Sequence, residues 1–206
     1  MDVATVATLF ALLTVVADVA VIAIALVALA GRRRPKVRQE TGDTLGPSAL
    51  WLAFLVASIA TLGSLYLSEV AHFVPCTLCW YQRIAMYPLV PILLIAAWRH
   101  EVAVVRFAIP LTVAGAAIAI YHYQLERFPT QVSVSCDVAA PCTVVWIWRF
   151  HFVSIPFMAL SGFALITALL LVARSASRVN ADETDAKLTA SDGTVSVPAH
   201  HVEGRR

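Results

Sequence analysis

Four cysteines are the residues of this chain best suited to chemistry. They fall as two close pairs, Cys76-Thr77-Leu78-Cys79 and Cys136-Asp137-Val138-Ala139-Ala140-Pro141-Cys142. Paired thiols exchange disulfides when one is a thiolate, its target sulfur is accessible and the leaving thiol is a good one. Pro75 stands just before the first pair and a long apolar run follows Cys79. The pair is therefore expected on the first turn of a helix, where unpaired N–H groups and the helix dipole favour a thiolate. Arg83 follows Cys79 by four residues, so on a helix it shares that face. Its fixed charge would stabilise a Cys79 thiolate and the oxyanion of a reduced electron acceptor. The plain alternative is an arginine that snorkels to the membrane surface.

Four cysteines allow three connectivities, and the short spacings favour pairing within each motif. Structural disulfides are the first rival, but a three-residue step constrains almost no chain and would stabilise little. A four-cysteine zinc site is the second, and the second pair's spacing is wide for it. Inert buried thiols are the third. Two pairs on one side of a membrane favour redox chemistry over all three.

The elements that must position these pairs are membrane helices. Of 206 residues, 60% are hydrophobic and 14% charged, with a mean hydropathy of +0.79. A soluble domain carries about 25% charge. Five apolar blocks, at about 3–30, 50–68, 79–98, 103–123 and 153–173, are each near the roughly 20 residues that a spanning helix needs. The first lacks a basic leading region and is long for a signal peptide, so it is expected to span. Arg32, Arg33, Arg34, Lys36 and Arg38 follow block one, Arg99 and Arg106 flank the turn after block three, and Arg174 and Arg178 follow block five. All then fall on one side, which is cytoplasmic by the positive-inside rule. The four cysteines fall on the other. The net charge of +2 and the lack of a basic helix or stacking platform argue against nucleic acid.

The stretch Pro75-Cys76-Thr77-Leu78-Cys79-Trp80-Tyr81-Gln82-Arg83 resembles the C-x-L-C-x-x-x-R signature of the DsbB/BdbC family of disulfide bond formation proteins. Pro141-Cys142, Trp146 and Phe152-Val153-Ser154-Ile155-Pro156-Phe157 resemble the BdbC-type subgroup, in which an Ile-Pro step opens the last helix. The resemblance runs from about Leu50 to Ala173 and implies a four-helix bundle with both pairs on the outer side. It implies a membrane quinone, ubiquinone or menaquinone, near the helical pair, and a thioredoxin-fold dithiol oxidase of the DsbA/BdbD kind as soluble partner. Residue by residue, it implies that Cys79 faces the quinone as a thiolate or charge-transfer species, with Arg83 lining the same site. Cys76 becomes the exchange partner of Cys79. Cys136 forms the mixed disulfide with the partner, and Cys142 then attacks Cys76. His122, in Tyr121-His122-Tyr123, is the candidate for a further quinone contact, with an aromatic-belt position as its plain alternative.

The chain is thus expected to be an all-α, polytopic protein of the bacterial cytoplasmic membrane. Residues 1–31 form an extra N-terminal transmembrane helix, 32–49 a basic cytoplasmic loop, 50–173 the four-helix core and 174–206 a disordered cytoplasmic tail. The extra helix departs from the family pattern, and nothing in it suggests chemistry. Its Asp18 is an intramembrane acid without an assigned role. The segment Val144-Val145-Trp146-Ile147-Trp148-Arg149-Phe150 is expected along the membrane surface, either as an anchor or as a tether that keeps the loop pair near Cys76. A vitamin K epoxide reductase-like oxidase is the rival enzyme, but it resembles the reverse order of pairs. A transporter or a membrane protein with structural disulfides is the rival outside enzymes, and few intramembrane polar residues line a path for transport.

Overall fold

A computed structural model describes residues 3–130, 136 and 140–192. Six α-helices carry the chain: α1 (Val3–Arg33), α2 (Pro35–Leu65), α3 (Thr77–Met86), α4 (Leu89–Arg99), α5 (Val105–Arg127) and α6 (Ile155–Asp192). A π-helical turn, Tyr66–Val70, continues α2, and a 3-10 turn, Val102–Val104, leads into α5. Together these make five candidate membrane spans, with α3 and α4 forming one of them. The protein is an all-α polytopic bundle. The expected third span is divided at Tyr87-Pro88, where Pro88 caps α4 and Pro91 follows inside its first turn. Each proline lacks the N–H that an unbroken helix would use there.

Small residues decide how closely the helices approach. Ala49, Ala53 and Ala57 recur every fourth residue along α2 and are completely buried, in one core with Phe163, Ile166 and Leu170 of α6. In lipid, close backbone approach and packing replace the hydrophobic drive between helices. Phe163 itself lies against Gly115 of α5, where any Cβ would collide with its ring. Thr167 Oγ1 donates to Thr112 Oγ1 across the same contact at 2.8 Å.

Two expected irregular segments are helical. Residues 35–49, expected as part of a loop, are the first turns of α2, and α6 runs on through the expected tail to Asp192. Their ends meet: Gly42 and Gly46 give the space into which Ala176 packs, and Ala176 is buried. Pro35 opens α2 at a position that needs no N–H. The remaining tail, 193–206, lies outside the described residues.

These contacts also fix the ends of the bundle. The α2 start meets the α6 finish, while the starts of α3 and α6 meet the finish of α5. Arg33, Arg34, Lys36, Arg99, Arg106, Arg174 and Arg178 therefore share one end, and the cysteines share the other. The segment after Cys142 closes over the cysteine end. Trp146 stacks on Phe73 with ring centres 4.9 Å apart, and Ile147 is buried with Ala7 and Leu67. A tight reversal of three residues pairs Arg149 with Val153. Phe150 and His151, at φ 51° and 65°, are the central residues of the turn that Phe152 N–H closes on the Arg149 carbonyl, and both left-handed values suit a type I′ turn.

Candidate active site

Cys76 and Cys79 sit where the sequence suggested, at the start of a membrane helix. Cys76 is the N-cap of α3, with extended backbone (φ −74°, ψ 173°), and its Sγ accepts from Cys79 N–H at 3.4 Å. A sulfur thus takes the capping role usually given to oxygen. Its partner Cys79 lies one turn on, and the two sulfurs are hydrogen-bonded at 3.1 Å. Both are thiols.

His122 reaches Cys76 from α5, with Nε2 3.6 Å from Sγ. Its Nδ1 lies 3.1 Å from Gln82 Nε2. The Gln82 amide nitrogen can only donate, so Nδ1 is the acceptor and the imidazole proton sits on Nε2, facing the sulfur. The hydrogen bond with the Cys79 thiol, and then His122, lower the Cys76 pKa to about 4, although burial pushes the other way. These contacts favour a thiolate on Cys76. Cys79, expected to form a thiolate or charge-transfer species with a quinone, has Arg83 beside it, while Cys76 has an imidazole from 46 residues away.

Arg83 turns toward α2. Its Nε donates to Ser64 Oγ at 3.0 Å and its Nη2 to the Ser64 carbonyl at 3.1 Å, while the guanidinium lies 5.1 Å from the Trp80 ring centre. Tyr87 also reaches Ser64 Oγ, at 3.4 Å. An arginine held by a serine inside the bundle is a positioned charge, unlike a snorkelling one. It remains close enough to act electrostatically on Cys79.

Cys79, Gln82 and Arg83 line one side of an apolar cavity of about 320 Å³ bounded by α1, α2, α3 and α6. Such a volume lies at the small end of ligand pockets. The lining is compatible with a quinone: a thiol and a fixed cation stand on one wall, and the other walls are mostly aliphatic and aromatic, with the hydroxyl residues Thr14, Ser64, Ser68 and Ser161 among them. His122 is absent from that lining. Its contact is instead with Cys76, which is likewise absent from the lining, and His122 is buried at 3% exposed.

The second pair is a disulfide, Cys136–Cys142, with Cα atoms 5.8 Å apart. It packs into one apolar cluster with Cys76, Cys79, Leu78 and Leu125, so all four sulfur-bearing residues converge. Residues 137–139 between them lie outside the described residues. Sγ of Cys76, Sγ of Cys79 and a ring nitrogen of His122 lie within 4.8 Å of one another, three soft donors where a closed zinc site takes four.

Sequence reasoning passed over three residues. Gln82 orients His122, and Ser64 holds Arg83. Glu126, one turn beyond His122 on α5, faces Ser154 and acts electrostatically on His122 and Cys76. Its Oε2 is buried, with no hydrogen-bond partner among the described residues. The i, i+4 spacing of His122 and Glu126 was the available signal for it.

The family described as "Disulfide bond formation protein DsbB" matches residues 47–173. The chain is 46% identical over 118 residues to "Disulfide bond formation protein C" of Bacillus subtilis (strain 168), covering 57% of this chain and 86% of that one. A "Probable disulfide formation protein" of Coxiella burnetii (strain CbuK_Q154) is 40% identical over 127 residues, covering 61% and 86%. No solved structure matches. The chain belongs to the disulfide bond formation protein DsbB family.

Proposed function

We propose that this membrane disulfide oxidoreductase reoxidises an extracytoplasmic thioredoxin-fold dithiol oxidase and passes the electrons to a membrane quinone, ubiquinone or menaquinone. One observation carries the reading. Cys79 touches Cys76 at 3.1 Å and at the same time lines an apolar cavity beside Arg83. A single residue thus joins a sulfur network to an acceptor pocket.

The partner dithiol reduces the Cys136–Cys142 disulfide by way of a mixed disulfide on Cys136. The Cys142 thiolate then attacks Cys76 of an oxidised helical pair, and Cys79 leaves as a thiolate into the field of Arg83. Closure of Cys136 on Cys142 releases Cys76, so the loop pair is oxidised again and the helical pair becomes a dithiol. Bound quinone would accept two electrons and two protons as Cys76 and Cys79 rejoin. Arg83 and Gln82 would hold its oxygen, and His122 would hold the charge on Cys76 until the bond forms.

The test is quinone reduction by purified protein supplied with a reduced thioredoxin-fold dithiol oxidase. Stoichiometric loss of partner thiols with quinone consumed is expected, and partner oxidation without quinone dependence would overturn the proposal. The bacterial cytoplasmic membrane is the expected location, with the basic end inside. A membrane-impermeant thiol reagent added to reduced intact cells should then label Cys136 and Cys142. Labelling only after lysis would reverse the topology.

A further inference from the structure

The cavity beside Cys79 has a wall that the family match does not contain. The match begins at residue 47, yet Phe10, Leu13, Thr14, Val16, Ala17 and Ala20 of α1 all line the cavity. This helix contributes little to the core. Its buried side chains are mostly small, Val6, Ala7, Ala11 and Thr14, while Val16, Val19 and Leu26 are each more than 60% exposed. Thr14, Ala17 and Ala20 step by three along one face and leave room in front of them.

Phe10 has a more specific seat. Its ring lies on the bare backbone of Gly63 in α2, where an added Cβ would come within 2.6 Å of Phe10 Cζ. The next residue is Ser64, which holds the Arg83 guanidinium twice. Phe10, Gly63, Ser64 and Arg83 therefore form one continuous strip along the cavity, leading from α1 to the charge expected to meet the acceptor. The N-terminus of α1 is tied to the same end of the bundle, because Arg149 Nη2 donates to the Ala4 carbonyl at 3.4 Å.

We propose that α1 is the outer wall of the acceptor pocket, and that Phe10 on Gly63, together with Ala17 and Ala20, determines which quinone ring and first isoprene units the pocket takes. The inference rests on the quinone reading above, and the occupant it commits to is the quinone. A phospholipid acyl chain in the same space is the competing outcome. Filling the space with Ala17→Phe should exclude the quinone. Removing the Phe10 ring should loosen discrimination between short-tail and long-tail quinones. Gly63→Ala should displace Phe10, and adding Phe10→Ala to it should restore binding.

The experiment uses the full chain in detergent or vesicles, with a benzoquinone bearing two isoprene units and its photoreactive azido derivative. Illumination should attach the probe to peptides of α1 as well as of α3, and unlabelled quinone should compete. Ala17→Phe should weaken binding by roughly tenfold or more, the scale of a steric change in an apolar pocket. The stoichiometric reaction of reduced partner with the Cys136–Cys142 disulfide should remain unchanged in the same variant. Labelling confined to α3, binding indifferent to Ala17→Phe and to Phe10→Ala, or labelling of α1 competed by phospholipid and not by quinone would each overturn the role of α1. Absence of quinone binding anywhere in the unsubstituted protein would instead overturn the function on which it rests.

Discussion

The two cysteine pairs are built in opposite ways. Cys76 and Cys79 stand on the first turn of a membrane helix, and each has a tuning partner, His122 with Gln82 for one sulfur and Arg83 for the other. Cys136 and Cys142 lie in the non-helical connection between α5 and α6, closed on each other and packed against apolar neighbours. A pair that hands electrons to a small acceptor in lipid needs its charge held at a fixed place, because lipid solvates charge so poorly. A pair that meets a protein thiol needs access and an exchangeable bond, and a helix would hinder both. The difference between the pairs is thus a division of labour between an electrostatic site and a mechanical one.

The sharpest way to break that division is to remove one sulfur from each pair. Cys142→Ser should stop oxidation of the partner on the order of a hundredfold or more, since residues acting as a unit fail together. Quinone binding should survive, because Cys142 lies outside the cavity lining. Cys79→Ser should stop quinone reduction to the same degree, yet leave one stoichiometric turnover of the loop disulfide by reduced partner. Stopped-flow measurement of the two half-reactions separates these outcomes. Equal loss of quinone binding in both variants would show that the pairs work as one site.

Arg83 comes next in size. Arg83→Lys keeps a charge and loses the fork that spans Ser64 Oγ and the Ser64 carbonyl. Arg83→Gln loses the charge as well. A charge-assisted hydrogen bond contributes about 1.5–3 kcal/mol, so Gln should raise the quinone KM roughly ten- to a hundredfold, with Lys between it and the unsubstituted protein. The partner half-reaction should not change. Full replacement by Lys would mean that only membrane anchoring is required.

His122 tests the other sulfur through pH. A thiol held at about 4 is a thiolate throughout the neutral range and becomes protonated only as the pH falls through that value. His122→Ala removes the second of the two favourable contacts, so the inflection should move up toward the ordinary thiol range near 8.5. The ultraviolet absorbance of the thiolate, followed in protein whose loop pair is closed, reports it directly. An inflection that stays in place would assign the lowered pKa to the Cys79 hydrogen bond alone.

What local spacing can encode was legible in the sequence. Pro75 ahead of Cys76 and Arg83 four residues after Cys79 placed the pair on a helix start, and the basic residues at 32–38, 99, 106, 174 and 178 collected at one end. What needs tertiary contact was not legible. Arg83 could be placed beside Cys79 because it is near in sequence, while the contact of His122 with Cys76 could not. The expected loop at 35–49 is helical and packs against the far end of the chain, with Ala176 close against the bare backbone of Gly46. The first helix looked chemically silent because an apolar wall has no motif. Its meaning lies in the space left in front of Ala17 and Ala20.

Glu126 gives the smallest expected effect and the finest test of the comparison. It stands one turn beyond His122, touches neither sulfur, and keeps Oε2 buried without a hydrogen-bond partner among the described residues. Ser154 Oγ, opposite it at the start of α6, is also buried without one. A carboxylate placed there would support the proton on His122 and oppose the charge on Cys76, so its two influences partly cancel. Glu126→Gln keeps the shape and removes the charge. The rate of quinone-dependent closure of Cys76 on Cys79 should fall by less than about tenfold, the modest end of general acid–base effects. Glu126→Asp should recover part of the rate, since it retains the acid at shorter reach. The half-reaction at Cys136–Cys142 should be unaffected by either change. If Gln and Asp slowed both half-reactions alike, Glu126 would be a packing residue between α5 and α6, and the electrostatic site would end at His122.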